Sequence, residues 1–395
     1  MMSEDPRDWE VETRLVRGGL ARSPYGEISE ALFLTQSFAY DSAEAADARF
    51  AGDSPGFIYQ RFGNPTTQMF EDRLALLEGA ESCRATASGM AAITLALTGL
   101  VRAGDHVVAG RALFGSCRWI CSEYLPRFGV EVTFVDATDL AAWTNAVRPN
   151  TKAFLVESPA NPLLEVTDIA GVAAIAHAAG AKLVVDNVFA TPIFQKPLEL
   201  GADIVVYSAT KHIDGQGRVL GGAVLGNEPL MTEAYKDIVR HTGPAMSPFN
   251  AWVMLKGLET LDLRVRRQTE NAAKVADAMA AHSKAKAVAY CGRPDHPQAE
   301  VIARQMTGGG NVVAVDLGSQ EAAWRFLNAL QIVDISNNLG DAKSMATHPS
   351  TTTHRSVPED ERLSIGLTPG WIRMSVGLEG PGDLVRDVTR ALDAA

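Results

Sequence analysis

An apolar run, Ile204–Tyr207, ends on Ser208, Thr210 and Lys211 and then opens into Gly215 and Gly217. Two hydroxyls beside an amine at the carboxyl end of a strand suit a phosphate and a carbonyl held together. A lone lysine after a strand is ordinarily a surface residue; these neighbours set Lys211 apart. Lys182-Leu-Val-Val-Asp186 places an acid directly after an apolar strand, 25 positions before Lys211. A buried carboxylate there needs a partner, because an isolated buried charge is costly. A protonated pyridine nitrogen would be one, and keeping it protonated makes the ring an electron sink. Capping a following helix is the other use open to Asp186. Glu157-Ser-Pro-Ala-Asn161-Pro162 is a third strand end, whose Asn161 could donate to a ring hydroxyl or simply make a turn. Thr86-Ala-Ser88-Gly89-Met90 puts small residues before an apolar helix, where free N–H groups bind phosphate. Ser-Gly at that position is also an ordinary helix cap. Phe114, in Leu113-Phe-Gly-Ser-Cys117, could stack on a flat ring or belong to the core.

The elements that must hold these residues follow from hydrophobic spacing. His106–Ala109, Val132–Val135, Ala153–Val156, Lys182–Val185 and Ile204–Tyr207 are expected as buried strands. Ala91–Val101 and Ile169–Ala179 are expected as helices between them, and a helix from Pro65 closes at Gly79. Such alternation predicts an α/β fold with a mostly parallel sheet covered by helices on both faces. Ligands in these sheets sit outside the carboxyl ends of the strands, where the candidate residues fall. Residues 1–56 are polar with short apolar pieces and are expected as an extended N-terminal arm, followed by an α/β domain over 57–255. A long helix near Asn250–Thr260 leaves that layer. Val312–Asp316, a helix over Gln320–Leu330, the loop Asn337–Ser356 and a closing strand and helix from Trp371 predict a smaller C-terminal α+β domain over 256–395.

Composition narrows the partners. The 395 residues suffice for two domains at about 100–200 residues each. A net charge of -11 disfavours nucleic acid, whose phosphates require concentrated Lys and Arg. No apolar run approaches the ~20 residues of a membrane span. Met1–Glu10 is polar and acidic, without the apolar core of an export signal. Cys83, Cys117, Cys121 and Cys291 are too scattered for a disulfide framework. Cys117 and Cys121 are spaced for a metal pair but lack a second pair, so buried free thiols are expected and no metal site is assigned. A cytoplasmic, reducing compartment is the expectation.

With these residues in place, the chain resembles the PLP-dependent Cys/Met-metabolism family over nearly its whole length. The resemblance implies fold-type I, aspartate-aminotransferase-like architecture and pyridoxal 5′-phosphate (PLP) as cofactor, bound in the 57–255 domain. It implies that Lys211 carries the cofactor covalently, that Asp186 pairs with the ring nitrogen and that Asn161 contacts the ring hydroxyl. Ser88, Gly89, Met90, Ser208 and Thr210 would hold the phosphate and Phe114 would stack on the ring. Tyr59 and Arg61, in Tyr59-Gln-Arg61-Phe-Gly-Asn64-Pro65, match a motif that reaches the phosphate from a neighbouring subunit. That implies a homo-oligomer, typically a tetramer, with shared sites. Arg373, in Trp371-Ile-Arg373-Met-Ser, matches the arginine that clamps the substrate α-carboxylate, a task suited to a planar fork.

Three positions depart from the family pattern: His212 replaces an aromatic residue or Gln, Phe114 replaces Tyr, and Asn338, a candidate substrate contact, replaces Ser. With no Tyr hydroxyl at position 114, proton traffic falls to Lys211 or Tyr59. The Lys211–Gly221, Leu113–Cys117 and Asn337–Lys343 segments are most similar to the O-succinylhomoserine sulfhydrylase branch. That similarity implies γ-replacement, in which O-succinylhomoserine and sulfide give homocysteine and succinate. O-acetylhomoserine sulfhydrylase, cystathionine γ-synthase and γ-lyases use the same machinery and are the alternatives. A non-catalytic scaffold on the same fold would not need Lys211, Asp186 and Arg373 intact.

Overall fold

The computed structural model describes residues 5–395; the first four residues of the polar start lie outside it. Alternation of apolar runs with helical segments produces a seven-stranded sheet of β1 (Ser82–Thr86), β2 (His106–Gly110), β3 (Glu131–Val135), β4 (Thr151–Glu157), β5 (Lys182–Asp186), β6 (Ile204–Tyr207) and β7 (Gly222–Gly226). Their order is β1-β7-β6-β5-β4-β2-β3, and β7 alone runs against the others. The five expected strands are present. β1 and β7 are additional, and their antiparallel pairing extends the sheet beyond β6.

Successive side chains on a strand point to opposite faces, and both faces here are dry. Val107 and Ala109 of β2, Ala153 and Leu155 of β4 and Ile204 and Val206 of β6 pack into one layer with the helix Gly89–Thr98. Val108, Phe154, Val156 and Val185 face the other way onto the helix Ile169–Ala178. That double burial explains why these strands read as continuous apolar runs.

The helix Pro65–Glu78 starts and stops where Pro and Gly predict. Asn64 Oδ1 accepts the Thr66 N–H at 2.9 Å, and Gly79 ends the helix at φ 87°. The N-terminal segment is not wholly extended. It forms helices at Val11–Arg17 and Ala43–Ala51, and Leu15 is buried in the core beneath the sheet. Arg73, fully buried, binds Glu30 at 2.6 Å and the Gly18 carbonyl at 2.7 Å, which fastens this segment to the α/β layer. After the helix Pro248–Leu258, a 21-residue helix, Leu261–Ala281, leads to a second, five-stranded sheet. Its strands are β8 (Ala287–Ala289), β9 (Val312–Asp316), β10 (Asp334–Ile335), β11 (Met345–Thr347) and β12 (Trp371–Ser375). β11 interrupts the stretch expected as a plain loop. No described helix is long and apolar enough to cross a membrane.

Candidate active site

The carboxyl ends of β1, β2, β4, β5 and β6 open onto one cavity of about 230 Å³, closed on one side by Arg373 of β12. Ser88, Gly89, Met90, Phe114, Asn161, Asp186, Ser208, Thr210, Lys211 and Arg373, singled out separately along the chain, all line it.

The end of the cavity expected to take a phosphate is built by close approach. Ser88 caps the helix Gly89–Thr98, its Oγ accepting the Ala91 N–H at 3.1 Å. A Cβ on Gly89 would lie 2.5 Å from Ser208 Cβ and 2.6 Å from its Oγ, so glycine lets the helix start meet the end of β6. The Thr210 hydroxyl exchanges hydrogen bonds with the backbone of Gly221, both at 3.1 Å, and pins the lysine turn to the start of β7.

At the other end, Asp186 Oδ1 accepts the Val188 N–H at 3.1 Å. The next helix, Thr191–Phe194, is capped by Ala190, so helix capping is not the task of Asp186. One strand over, Glu157 stands in register with Asp186. It accepts the Phe114 N–H at 2.7 Å and the Asn161 N–H at 2.8 Å. Burial pushes both carboxyls above the usual carboxylate range, and the repulsion of Asp186 adds to the rise at Glu157. The sequence reading passed over Glu157, although a carboxylate at the end of an apolar strand was the signal that singled out Asp186. Cys117 Sγ lies within 4.8 Å of both carboxylates, and it and Cys121 are buried and in no disulfide.

Burial, and secondarily the Arg373 charge, lowers the Lys211 amine to about 8. Its Nζ donates to Asn338 Oδ1 at 2.5 Å, so the side chain of Asn338 faces the lysine. Arg373 is 2% exposed and lowered by burial to about 10. Its Nη1 donates to Asn161 Oδ1 at 3.0 Å and its Nη2 to the carbonyls of Asn337 and Asn338 at 2.8 and 3.2 Å. Its Nε is buried with no partner among the described residues. A buried cation lining the cavity is a ready partner for an incoming carboxylate. His212 lies outside the cavity lining; its Nε2 pairs with Asn311 Oδ1 at 2.7 Å, and burial lowers it to about 4. This departure from the family pattern ties the lysine turn to the second sheet.

Tyr59 and Arg61 are not brought to the cavity. Tyr59 is 39% exposed, and Arg61 leans on its ring at 5.2 Å and donates to the Arg240 carbonyl beside a separate hollow.

The residues present fit the expected cofactor: an acid for a ring nitrogen, an aromatic wall, a helix start with hydroxyls for a phosphate, and a poised amine. Comparison with known proteins agrees. The model of the Cys/Met metabolism PLP-dependent enzymes matches residues 12–393. The chain belongs to this family. It is 51% identical over 382 residues to the O-succinylhomoserine sulfhydrylase of Mycobacterium tuberculosis, covering 95% of this chain and 94% of that one. To the O-succinylhomoserine sulfhydrylase of Pseudomonas aeruginosa it is 48% identical over 384 residues, covering 97% and 95%. A Campylobacter jejuni structure carrying N'-pyridoxyl-lysine-5'-monophosphate is 30% identical, covers 98% of this chain and 100% of its own, and superposes with a TM-score of 0.94. The family member described here is a PLP-dependent enzyme of fold-type I, with a large α/β sheet layer and a smaller C-terminal sheet.

Proposed function

We propose that this enzyme replaces the succinyl group of O-succinylhomoserine by sulfide, giving homocysteine and succinate. The observation that carries the reading is the convergence of Lys211, Asp186, Phe114 and Arg373 on one cavity, in a chain about half identical to sulfhydrylases over nearly its full length.

When bound, the cofactor supplies an electron sink for negative charge that develops at the substrate α-carbon. The chain's residues do the rest. Asp186 would hold the ring nitrogen protonated, and Phe114 would pack on the ring. Ser88, Gly89, Met90, Ser208 and Thr210 enclose the phosphate, and Asn161 reaches the ring hydroxyl. Arg373, which lines the cavity, takes the substrate α-carboxylate on its planar guanidinium. Lys211 would hold the cofactor covalently, and its free amine would move protons at the substrate carbons. Its lowered pKa suits a general base near neutral pH. Asn338 keeps the free amine oriented. The chain works as a homotetramer in the cytoplasm, with Tyr59 and Arg61 completing a neighbour's phosphate site. Residues 57–255 form the cofactor domain and 256–395 the C-terminal domain, behind an arm over 1–56.

The test offers purified enzyme O-succinylhomoserine and O-acetylhomoserine, each with sulfide or with cysteine, and identifies the products. Homocysteine from the succinyl donor and sulfide, at the highest kcat/KM of the four pairs, is expected. Cystathionine as the main product, or preference for the acetyl donor, would move the assignment to another branch of the family.

A further inference from the structure

One buried carboxylate in the cavity has no task in the mechanism above. Glu157 closes β4, and each of its oxygens accepts a backbone N–H, from Phe114 at 2.7 Å and from Asn161 at 2.8 Å. These amides lie on separate loops, one after β2 and one after β4. Phe114 is one of two aromatic rings lining the cavity, with Phe189, and Asn161 Oδ1 receives Arg373 Nη1 at 3.0 Å. Packing alone would favour an apolar residue, as at Leu155, Val156 and Val185 beside it. A carboxylate carries a desolvation cost there, next to a second carboxylate at Asp186. What it supplies in return is two acceptors on one rigid group, aimed at two loops.

We propose that Glu157 is a positioning residue: its carboxylate locks the Phe114 and Asn161 backbones to each other and, through Asn161, sets the angle of the Arg373 guanidinium. The Arg373 link rests on the reading of that residue as the substrate-carboxylate clamp. Glu157→Gln probes the lock because an amide keeps one acceptor oxygen and turns a donor toward the second N–H. Glu157→Asp keeps both acceptors on a shorter stem.

The experiment compares holoenzyme carrying Glu157→Gln, Glu157→Asp, Arg373→Lys or Glu157→Gln with Arg373→Lys. It reads amide hydrogen exchange in the segments containing Phe114 and Asn161, visible circular dichroism of the bound cofactor, and KM against kcat. In Glu157→Gln, exchange in both segments accelerates, the dichroic band weakens and KM for the amino-acid substrate rises about tenfold, the size of one buried hydrogen bond. The aspartate variant recovers part of each change. Because both residues act through one contact, the KM penalty of the double variant is smaller than the product of the single penalties. Unchanged exchange in both segments, or a fall in thermal stability with dichroism and KM unmoved, overturns the proposal. So do penalties that multiply. If the glutamine variant does not fold, the same readings on Glu157→Asp, alone and with Arg373→Lys, decide. Unchanged KM in Arg373→Lys would sink the clamp reading of Arg373, while exchange and dichroism would still decide whether Glu157 locks the two loops.

Discussion

Burial moves Lys211 and Asp186 in opposite directions, lowering the amine to about 8 and raising the carboxyl. An amine of ordinary pKa is neutral in fewer than about one molecule in a thousand at pH 7, whereas at about 8 roughly a tenth is neutral and nucleophilic. Raising the pH through this value frees the amine, so capture of added PLP by the cofactor-free enzyme should quicken about fivefold from pH 7 to 8 and level off by about pH 9. Stopped-flow absorbance would follow it; a rate still climbing steeply at pH 10 would mean an unshifted lysine. Asp186→Asn would remove the charge proposed to keep a ring nitrogen protonated but retains an oxygen for the Val188 N–H. Cofactor should stay bound while kcat falls by about 10² or more, the scale of a lost electrostatic contact at a reacting centre. Near-normal turnover would reduce Asp186 to a turn residue.

At the level of elements, the helix Gly89–Thr98 and β6 must touch for the phosphate end to exist. Gly89→Ala places a Cβ 2.5 Å from Ser208 Cβ and 2.9 Å from its Cα, neither of which can swing aside. The helix start must lift from the sheet at an overpacking cost of about 1–3 kcal/mol. Cofactor titration should show weaker binding by at least about tenfold, with a lowered melting temperature. Unaltered affinity would mean that the phosphate is held without this approach. β1 and β7 depend on the same neighbourhood and were invisible to apolar spacing. β1 carries Arg84 among small residues, and β7 is three apolar residues between glycines. Each is a strand because its partner completes its backbone hydrogen bonds, Ser82–Thr86 against Gly222–Gly226.

On the scale of the whole molecule, the single chain leaves Tyr59 and Arg61 away from the cavity that their motif is expected to serve. Sharing between subunits has a measurable consequence. Lys211→Ala and Arg61→Ala, each nearly inactive alone, should regain activity when co-refolded. A two-fold hybrid carries both lesions in one site and neither in the other. With random pairing about half the dimers are hybrids, and about a quarter of all sites are intact. Recovery far below that, with hybrids demonstrated by mass spectrometry, would place Arg61 beside its own Lys211.

The sequence by itself determined the parallel core, because strands buried on both faces must be apolar throughout, as in Ile204–Tyr207 and Leu183–Val185. It also determined which residues end those strands, and with them most of the cavity: Asp186, Asn161, Ser208, Thr210 and Lys211 sit where chain order alone puts them. Tertiary structure decided what depends on neighbours distant in the chain. The N-terminal segment, polar enough to read as a loose arm, is fastened by Arg73 to Glu30 and by burial of Leu15. Asn338 turned out to face Lys211, and Asn161 to hold Arg373. Glu157 needed three dimensions most of all. Its task lies in two backbone N–H groups, and a backbone group has no letter in the sequence.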